Sequence, residues 1–168
     1  MITTRIPLQV RLKRESHRKI AYTQDIIVIE LYKLLDRAIL HGGTAIWRCY
    51  SGKRFSEDLD FYITNDKQKI NAVFDNLKKI GFEIKKKKIS DTSVYSELEL
   101  NRVSVRLEAT FQKKDAVICD YEMSDGNIIP IHSLTPERFL VEKINTYLKR
   151  LKIRDLWDIF FLLRILKN

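Results

Sequence analysis

The chain has 168 residues, and its 31 Lys and Arg outnumber its 22 Asp and Glu to give a formal net charge of +9. A chain of this length buries about 70% of its unfolded surface, and only Cys49 and Cys119 are present, so the disulfide framework of a small secreted domain is excluded. The N-terminal segment has no long apolar stretch, and no stretch of about 18 apolar residues occurs anywhere, so we expect no signal peptide, no membrane span and a cytoplasmic location.

The first elements are a helix and a short strand that ends in a glycine turn. Apolar residues recur at helical spacing over 17–38, and the apolar pair 39–40 predicts a brief strand. Gly42–Gly43 ends this strand in a turn. Thr44 is predicted to cap the following helix at 45–50.

The middle of the chain alternates in the manner of a sheet. After a loop, "DLDFYI" at 58–63 places every second residue on an apolar face and predicts a strand. A helix is predicted at 66–81, ending in a glycine. Three strand candidates follow at 82–90, 93–100 and 102–111, of which the last alternates most cleanly.

The last third of the chain turns helical. The segment 116–123 is a further strand candidate, and 124–127 forms a turn. Thr135, with a proline and an acid directly after it, marks a helix start. The segment 154–166 is either a final helix or a continuation of this one.

These elements predict an α/β fold with a small mixed β-sheet, helices on one face, and a helical C-terminal portion. We expect 1–168 to form a single domain, with a catalytic core at about 17–133 and the helical portion at about 135–168.

The acid pair in "DLD" needs a cation. Asp58 and Asp60 are two residues apart in a strand, so both carboxylates leave the same face and repel each other. Carboxylate oxygens are suited to Mg²⁺ or Mn²⁺. Backbone N–H groups of Gly43 and Thr44 at the start of a helix are suited to holding a phosphate. A metal-binding pair next to a phosphate grip is what nucleotidyl transfer requires.

The turn and the acids together resemble a known family. A Gly-Gly-Ser/Thr turn followed by Asp-x-Asp is the minimal motif of the polymerase-β-like nucleotidyltransferases, and "GGTAI…RFSEDLDF" resembles the AbiEii/AbiGii toxin-type branch. The resemblance implies the nucleotidyltransferase fold and transfer of a nucleoside monophosphate from an NTP with Mg²⁺ or Mn²⁺. It implies nucleotide binding by the turn from Gly42 to Thr44, and phosphate contacts for Arg54 and Ser56, which match the family's Arg-x-Ser.

A third carboxylate is expected from a neighbouring strand. Glu108 lies on the polar face of "RVSVRLEATF", and a basic–apolar–acid triplet with Arg106 occupies this place in the families that the chain resembles. Glu97 and Glu99 share one face of "SVYSELEL" and are the alternative ligands.

The C-terminal segment resembles the ending of the toxin family more loosely. The resemblance assigns Lys143, Arg154 and Asp158 to nucleotide binding. If the helix is continuous, these residues form one polar stripe with Tyr147 and Arg150; the alternative is a solvated, salt-bridged face.

The net charge and the resemblance indicate an RNA acceptor, such as a tRNA 3′ end, and the hydroxyl of a protein is the alternative. The resemblance also implies a cognate antitoxin as partner. Two other readings remain open: an antitoxin-type nucleotidyltransferase that modifies a partner toxin, and an inactive nucleic-acid-binding module of the same fold.

Overall fold

A computed structural model describes residues 6–168. The first five residues belong to the N-terminal segment from which the sequence predicts no signal peptide, and they lie outside this range. The described elements are, in chain order, α1 (Leu8–Arg11), α2 (Glu15–Leu34), β1 (Ile39–His41), α3 (Gly42–Cys49), β2 (Leu59–Ile63), α4 (Lys67–Ile80), β3 (Glu83–Ile89), β4 (Ser93–Leu100), β5 (Val103–Phe111), β6 (Val117–Glu122), β7 (Ile128–Ser133), α5 (Pro136–Arg150) and α6 (Ile153–Lys167).

The strands form one seven-stranded mixed sheet in the order β3-β4-β5-β2-β1-β7-β6. β2 pairs with β5 in parallel and β1 pairs with β7 in parallel, whereas the other neighbours are antiparallel. The predicted α/β architecture with a small mixed sheet is therefore confirmed. β2 lies at the centre of the sheet, between β5 and β1.

The core lies on the face of β2 that carries its apolar residues. Leu59, Phe61 and Ile63 are almost fully buried on this face, and α2 and α4 pack against each other and against the sheet. The side chains at the alternate positions of β2 leave the opposite face, which α5 borders through a hydrogen bond from Tyr62 to Glu142. Within residues 6–168, no helix is both long and apolar enough to cross a bilayer.

Two of the predicted helix boundaries are wrong. α2 ends at Leu34 rather than at residue 38, because the chain turns there to enter β1. α3 begins at Gly42, with His41 at its N-cap, so Thr44 lies inside the helix and is not its cap.

The sequence analysis also missed one strand and left one connection open. β7, which contains Pro130, was not predicted. α5 and α6 are separate helices, because Leu151 adopts a left-handed conformation with φ 50° and ends α5.

Candidate active site

The acids lie where the three central strands meet. Asp60 on β2 is the direct neighbour of His41 on β1 and of Glu108 on β5. Asp58 immediately precedes β2, and its carboxylate lines the same cavity as those of Asp60 and Glu108. The parallel pairing of β2 with β5 thus brings together three carboxylates that are 50 residues apart in sequence at most.

The glycine turn packs directly against these acids. Gly42 has φ +71°, and a Cβ at this position would lie 2.6 Å from Oδ2 of Asp60. A Cβ on Gly43 would collide with the guanidinium of Arg54 and lie 2.9 Å from Oγ of Ser56. No side chain fits at either position without moving a functional group, which explains the two glycines physically.

Thr44 is not a helix cap but contacts the loop at 50–58, which connects α3 to β2 and ends in Asp58; we call it the acid loop. Its hydroxyl donates a hydrogen bond to the backbone carbonyl of Asp58. This bond ties the first turn of α3 to the residue that carries the first acid, so the glycine turn and the acids keep a fixed relation to each other.

Arg106 bridges two of the three carboxylates. Its Nη2 contacts Oδ2 of Asp58, and its Nε lies 3.2 Å from Oε1 of Glu108. The alternative acids point elsewhere: Glu97 pairs with Lys86 and accepts a hydrogen bond from Tyr95, and Glu99 accepts one from Ser104. The geometry therefore favours Glu108 as the third carboxylate.

The electrostatics of the site favour an added cation. Burial first, and then the charges of Glu108 and Asp58, raise the pKa of Asp60 to about 6, against smaller opposing effects of Arg106 and Lys143. Carboxylate oxygens are the donors that Mg²⁺ and Mn²⁺ prefer, so the chemistry of this set fits a hard divalent ion. As placed within residues 6–168, however, no three such side chains converge in a metal-binding arrangement. Arg106 would have to release Asp58 before the carboxylates could converge on an ion.

A second charged cluster anchors the C-terminal helices to the acid loop. Arg54 donates to Asp158 through Nε (3.0 Å, to Oδ1) and Nη2 (2.8 Å, to Oδ2). Nζ of Lys143 lies 2.8 Å from Oδ2 of Asp158 and 3.5 Å from Oδ1 of the buried Asp155. Asp158 is thus engaged in the protein interior, whereas Arg154 on the next turn back is exposed.

Because α5 and α6 are separate helices, their polar residues do not form one continuous stripe. The cations of the two helices nevertheless face one cavity of about 620 Å³, together with the acids and the glycine turn. Nine of the eleven residues that the sequence assigned to the site line this cavity: Gly42, Gly43, Arg54, Ser56, Asp58, Asp60, Glu108, Lys143 and Arg154. Thr44 and Asp158 lie behind it and contact residues that line it.

A residue that the sequence analysis overlooked holds the acid loop from α2. Gln24 is fully buried, and its Nε2 donates hydrogen bonds of 2.9 Å to the carbonyls of Ser56 and Glu57. Its Oε1 accepts a hydrogen bond of 3.4 Å from Arg48, whose guanidinium also pairs with buried Asp25. The available signal was a run of polar residues, Thr23 to Asp25, inside an otherwise apolar helical pattern.

A stacked aromatic pair forms another overlooked wall of the cavity. The rings of His41 and Tyr62 stack with centroids 3.8 Å apart and planes 3° apart. The Tyr62 hydroxyl donates to Oε1 of Glu142 at 2.7 Å. Burial, and then the nearby charge of Lys143, lowers the pKa of His41 to about 3, so this imidazole is neutral at physiological pH.

A known protein family matches most of the chain. The family model described as "Nucleotidyl transferase AbiEii toxin, Type IV TA system" matches residues 29–168. No curated protein matches the chain.

Several solved structures have a similar fold. JHP933 from Helicobacter pylori superposes with a TM-score of 0.59 at 22% identity over 84% of this chain and 65% of its own. A putative nucleotidyltransferase from H. pylori gives 0.59 at 23% identity, over 84% of this chain and 67% of its own. ANT(2")-Ia in complex with adenylyl-2"-tobramycin gives 0.54 at 14% identity, over 86% of this chain and 90% of its own. The chain thus spans about two thirds of the length of the H. pylori proteins, and these likenesses establish the fold.

Proposed function

Because this chain belongs to the AbiEii toxin family of nucleotidyl transferases, we propose that it transfers a nucleoside monophosphate from an NTP to a hydroxyl of an RNA acceptor. The observation that carries this proposal is one cavity lined by Asp58, Asp60, Glu108 and the glycine turn. Acids alone would suit many metal sites, and a turn alone would suit many phosphate sites. Here Gly42 of the turn packs against Asp60, so one site combines the acids and the phosphate-binding turn that nucleotidyl transfer requires.

The proposed reaction joins the acceptor hydroxyl oxygen to the α-phosphorus of the NTP. The bond from this phosphorus to the bridging oxygen breaks, pyrophosphate leaves, and the hydroxyl proton passes to solvent or to a carboxylate. A divalent ion held by Asp58, Asp60 and Glu108 would lower the pKa of the hydroxyl and neutralise charge on the leaving group.

The rest of the cavity then binds the triphosphate. Backbone N–H groups of Gly43 and Thr44, at the start of α3, would bind the outer phosphates. Arg154 is exposed on the cavity wall and adds a cation that is free to meet the triphosphate. Arg54 and Lys143 also line the cavity, while Asp158 holds both in place.

The acceptor and the partner complete the proposal. The net charge of +9 favours RNA over a neutral protein surface. The description of the family as a type IV toxin–antitoxin system supports a cognate antitoxin as partner.

A labelling screen tests the proposal. The purified protein is incubated with Mg²⁺, total RNA and each α-labelled NTP in turn, with parallel reactions that contain EDTA or lack RNA. Label in RNA that is lost with EDTA supports the proposal. Label in protein would move the acceptor to a protein hydroxyl, and no label with any NTP would contradict transfer itself.

A further inference from the structure

A second cavity of about 790 Å³ adjoins the catalytic one at the end of the sheet where β2 and β5 finish. We call it the cationic groove, because its wall includes Arg37, Lys113 and Lys114. Tyr62 and Lys114 line both cavities, so the two cavities are adjacent and share these side chains as a wall.

Among the described residues, no acid forms an ion pair with the cations of the groove. Within residues 6–168, neither Arg37 nor Lys113 makes a hydrogen bond or ion pair, and both are exposed. Lys114 contacts the ring of Tyr62, with Nζ 5.3 Å from its centroid. A single acid, Asp36, lines the groove in this part of the chain.

Several other exposed cations pair with a nearby acid. Lys86 pairs with Glu97 on the neighbouring strand, and Arg138 pairs with Asp115. Clustered cations without such partners repel one another, and an anion that enters the groove relieves this repulsion.

The position of the groove relative to the acids indicates which anion it receives. Tyr62 follows Asp60 by two residues on β2, a distance of about 6–7 Å along a strand. The proposed triphosphate site lies on the other side of the acids, at the glycine turn. When the reactive hydroxyl of an acceptor reaches Asp60, the NTP occupies the triphosphate site. The rest of the acceptor chain therefore extends into the groove.

We propose that the cationic groove binds the phosphodiester backbone of a single-stranded RNA acceptor, whose terminal hydroxyl passes Tyr62 to reach the acids. This inference rests on the proposed function and adds the path of the acceptor to it. Arg37 and Lys113 each meet one phosphate in this arrangement, and Lys114 contacts the nucleotide nearest to the catalytic cavity.

A matched pair of charge-reversed proteins tests the groove. The test variant is Arg37→Glu/Lys113→Glu. The control is Lys79→Glu/Lys88→Glu, which makes the same change in net charge at two exposed lysines that line neither cavity. Binding of a short fluorescein-labelled single-stranded RNA is measured by anisotropy without NTP, at salt concentrations from 50 to 200 mM.

The loss of two phosphate contacts lowers the slope of log affinity against log salt by about 1.4, from about 0.7 per contact. The ratio of wild-type to test-variant affinity then shrinks about sevenfold between 50 and 200 mM salt. The control keeps the slope of the wild type. NTP affinity, measured without RNA, stays the same in all three proteins.

The outcomes separate this inference from the proposed function. Equal slopes of log RNA affinity against log salt in the test and control variants would contradict RNA binding in the groove. No RNA binding by the wild type at 50 mM salt would contradict it as well. If the slope falls as expected but the wild type transfers no nucleotide, the proposed function fails and the groove remains an RNA site.

Discussion

Gln24 offers the most direct way to disturb the acid loop without touching an acid. In Gln24→Met the side-chain volume is nearly kept, but the hydrogen bonds to the carbonyls of Ser56 and Glu57 and the one accepted from Arg48 are lost. Each such bond contributes about 0.5–1.5 kcal/mol net, so we expect a loss of about 1.5–4.5 kcal/mol in the free energy of unfolding. A domain with about 5–15 kcal/mol of stability still folds after this loss.

The effect on the site should exceed the effect on the fold. Residues that orient metal ligands typically change metal affinity or activity by about 10–100-fold when they are replaced. Asp58 keeps its backbone bond to Thr44 but loses the support of the two preceding residues. We therefore expect Gln24→Met to weaken Mn²⁺ binding by at least about tenfold.

The control lies one residue earlier on the same helix. Thr23 is buried, and its hydroxyl donates to the carbonyl of Lys19, away from the acid loop. Thr23→Val removes one hydrogen bond at constant shape. Urea unfolding sets conditions in which both variants are folded, and Mn²⁺ titration followed by electron paramagnetic resonance gives the affinities. Equal Mn²⁺ affinities in the two variants would refute the positioning role of Gln24.

Further predictions concern the carboxylates themselves. Mn²⁺ should bind to the wild type but not to Asp58→Asn/Asp60→Asn in an equilibrium titration, because the neutral amides lack the charge that holds a hard ion; comparable affinity in both would remove the metal site. Glu108→Gln should lower the rate of nucleotide transfer by orders of magnitude while circular dichroism and NTP affinity stay close to those of the wild type. Glu97→Gln and Glu99→Gln should change the rate little, since both acids pair outside the cavity; the opposite pattern would place the third ligand on β4.

The features that the sequence predicted well are local. Alternation over 58–63 and 102–111 identified two strands whose apolar faces are buried, and the parity of each strand then placed its acids on the opposite face. The parallel register that sets Asp60 beside Glu108 is not local, and only the motif resemblance suggested it.

The features that were missed depend on distant contacts. Pro130 weakens the strand pattern of β7, which is nevertheless held between two neighbours in the sheet. Thr44 is a residue type that commonly caps helices, but α3 begins two residues earlier, at Gly42, and the Thr44 hydroxyl donates to the carbonyl of Asp58 instead. Gln24 bonds to carbonyls more than 30 residues away, and no pattern within α2 specifies them.

Transfer of α-labelled nucleotide to RNA by the wild type and by Asp58→Asn/Asp60→Asn, side by side and with Mg²⁺ in excess, tests the central claim most directly. The two proteins should be shown to unfold at similar urea concentrations first, so that a difference in rate reports the site. The wild type should label RNA, and the variant should lose this activity by several orders of magnitude. Labelling by both proteins at comparable rates would contradict a transfer site built on this acid pair.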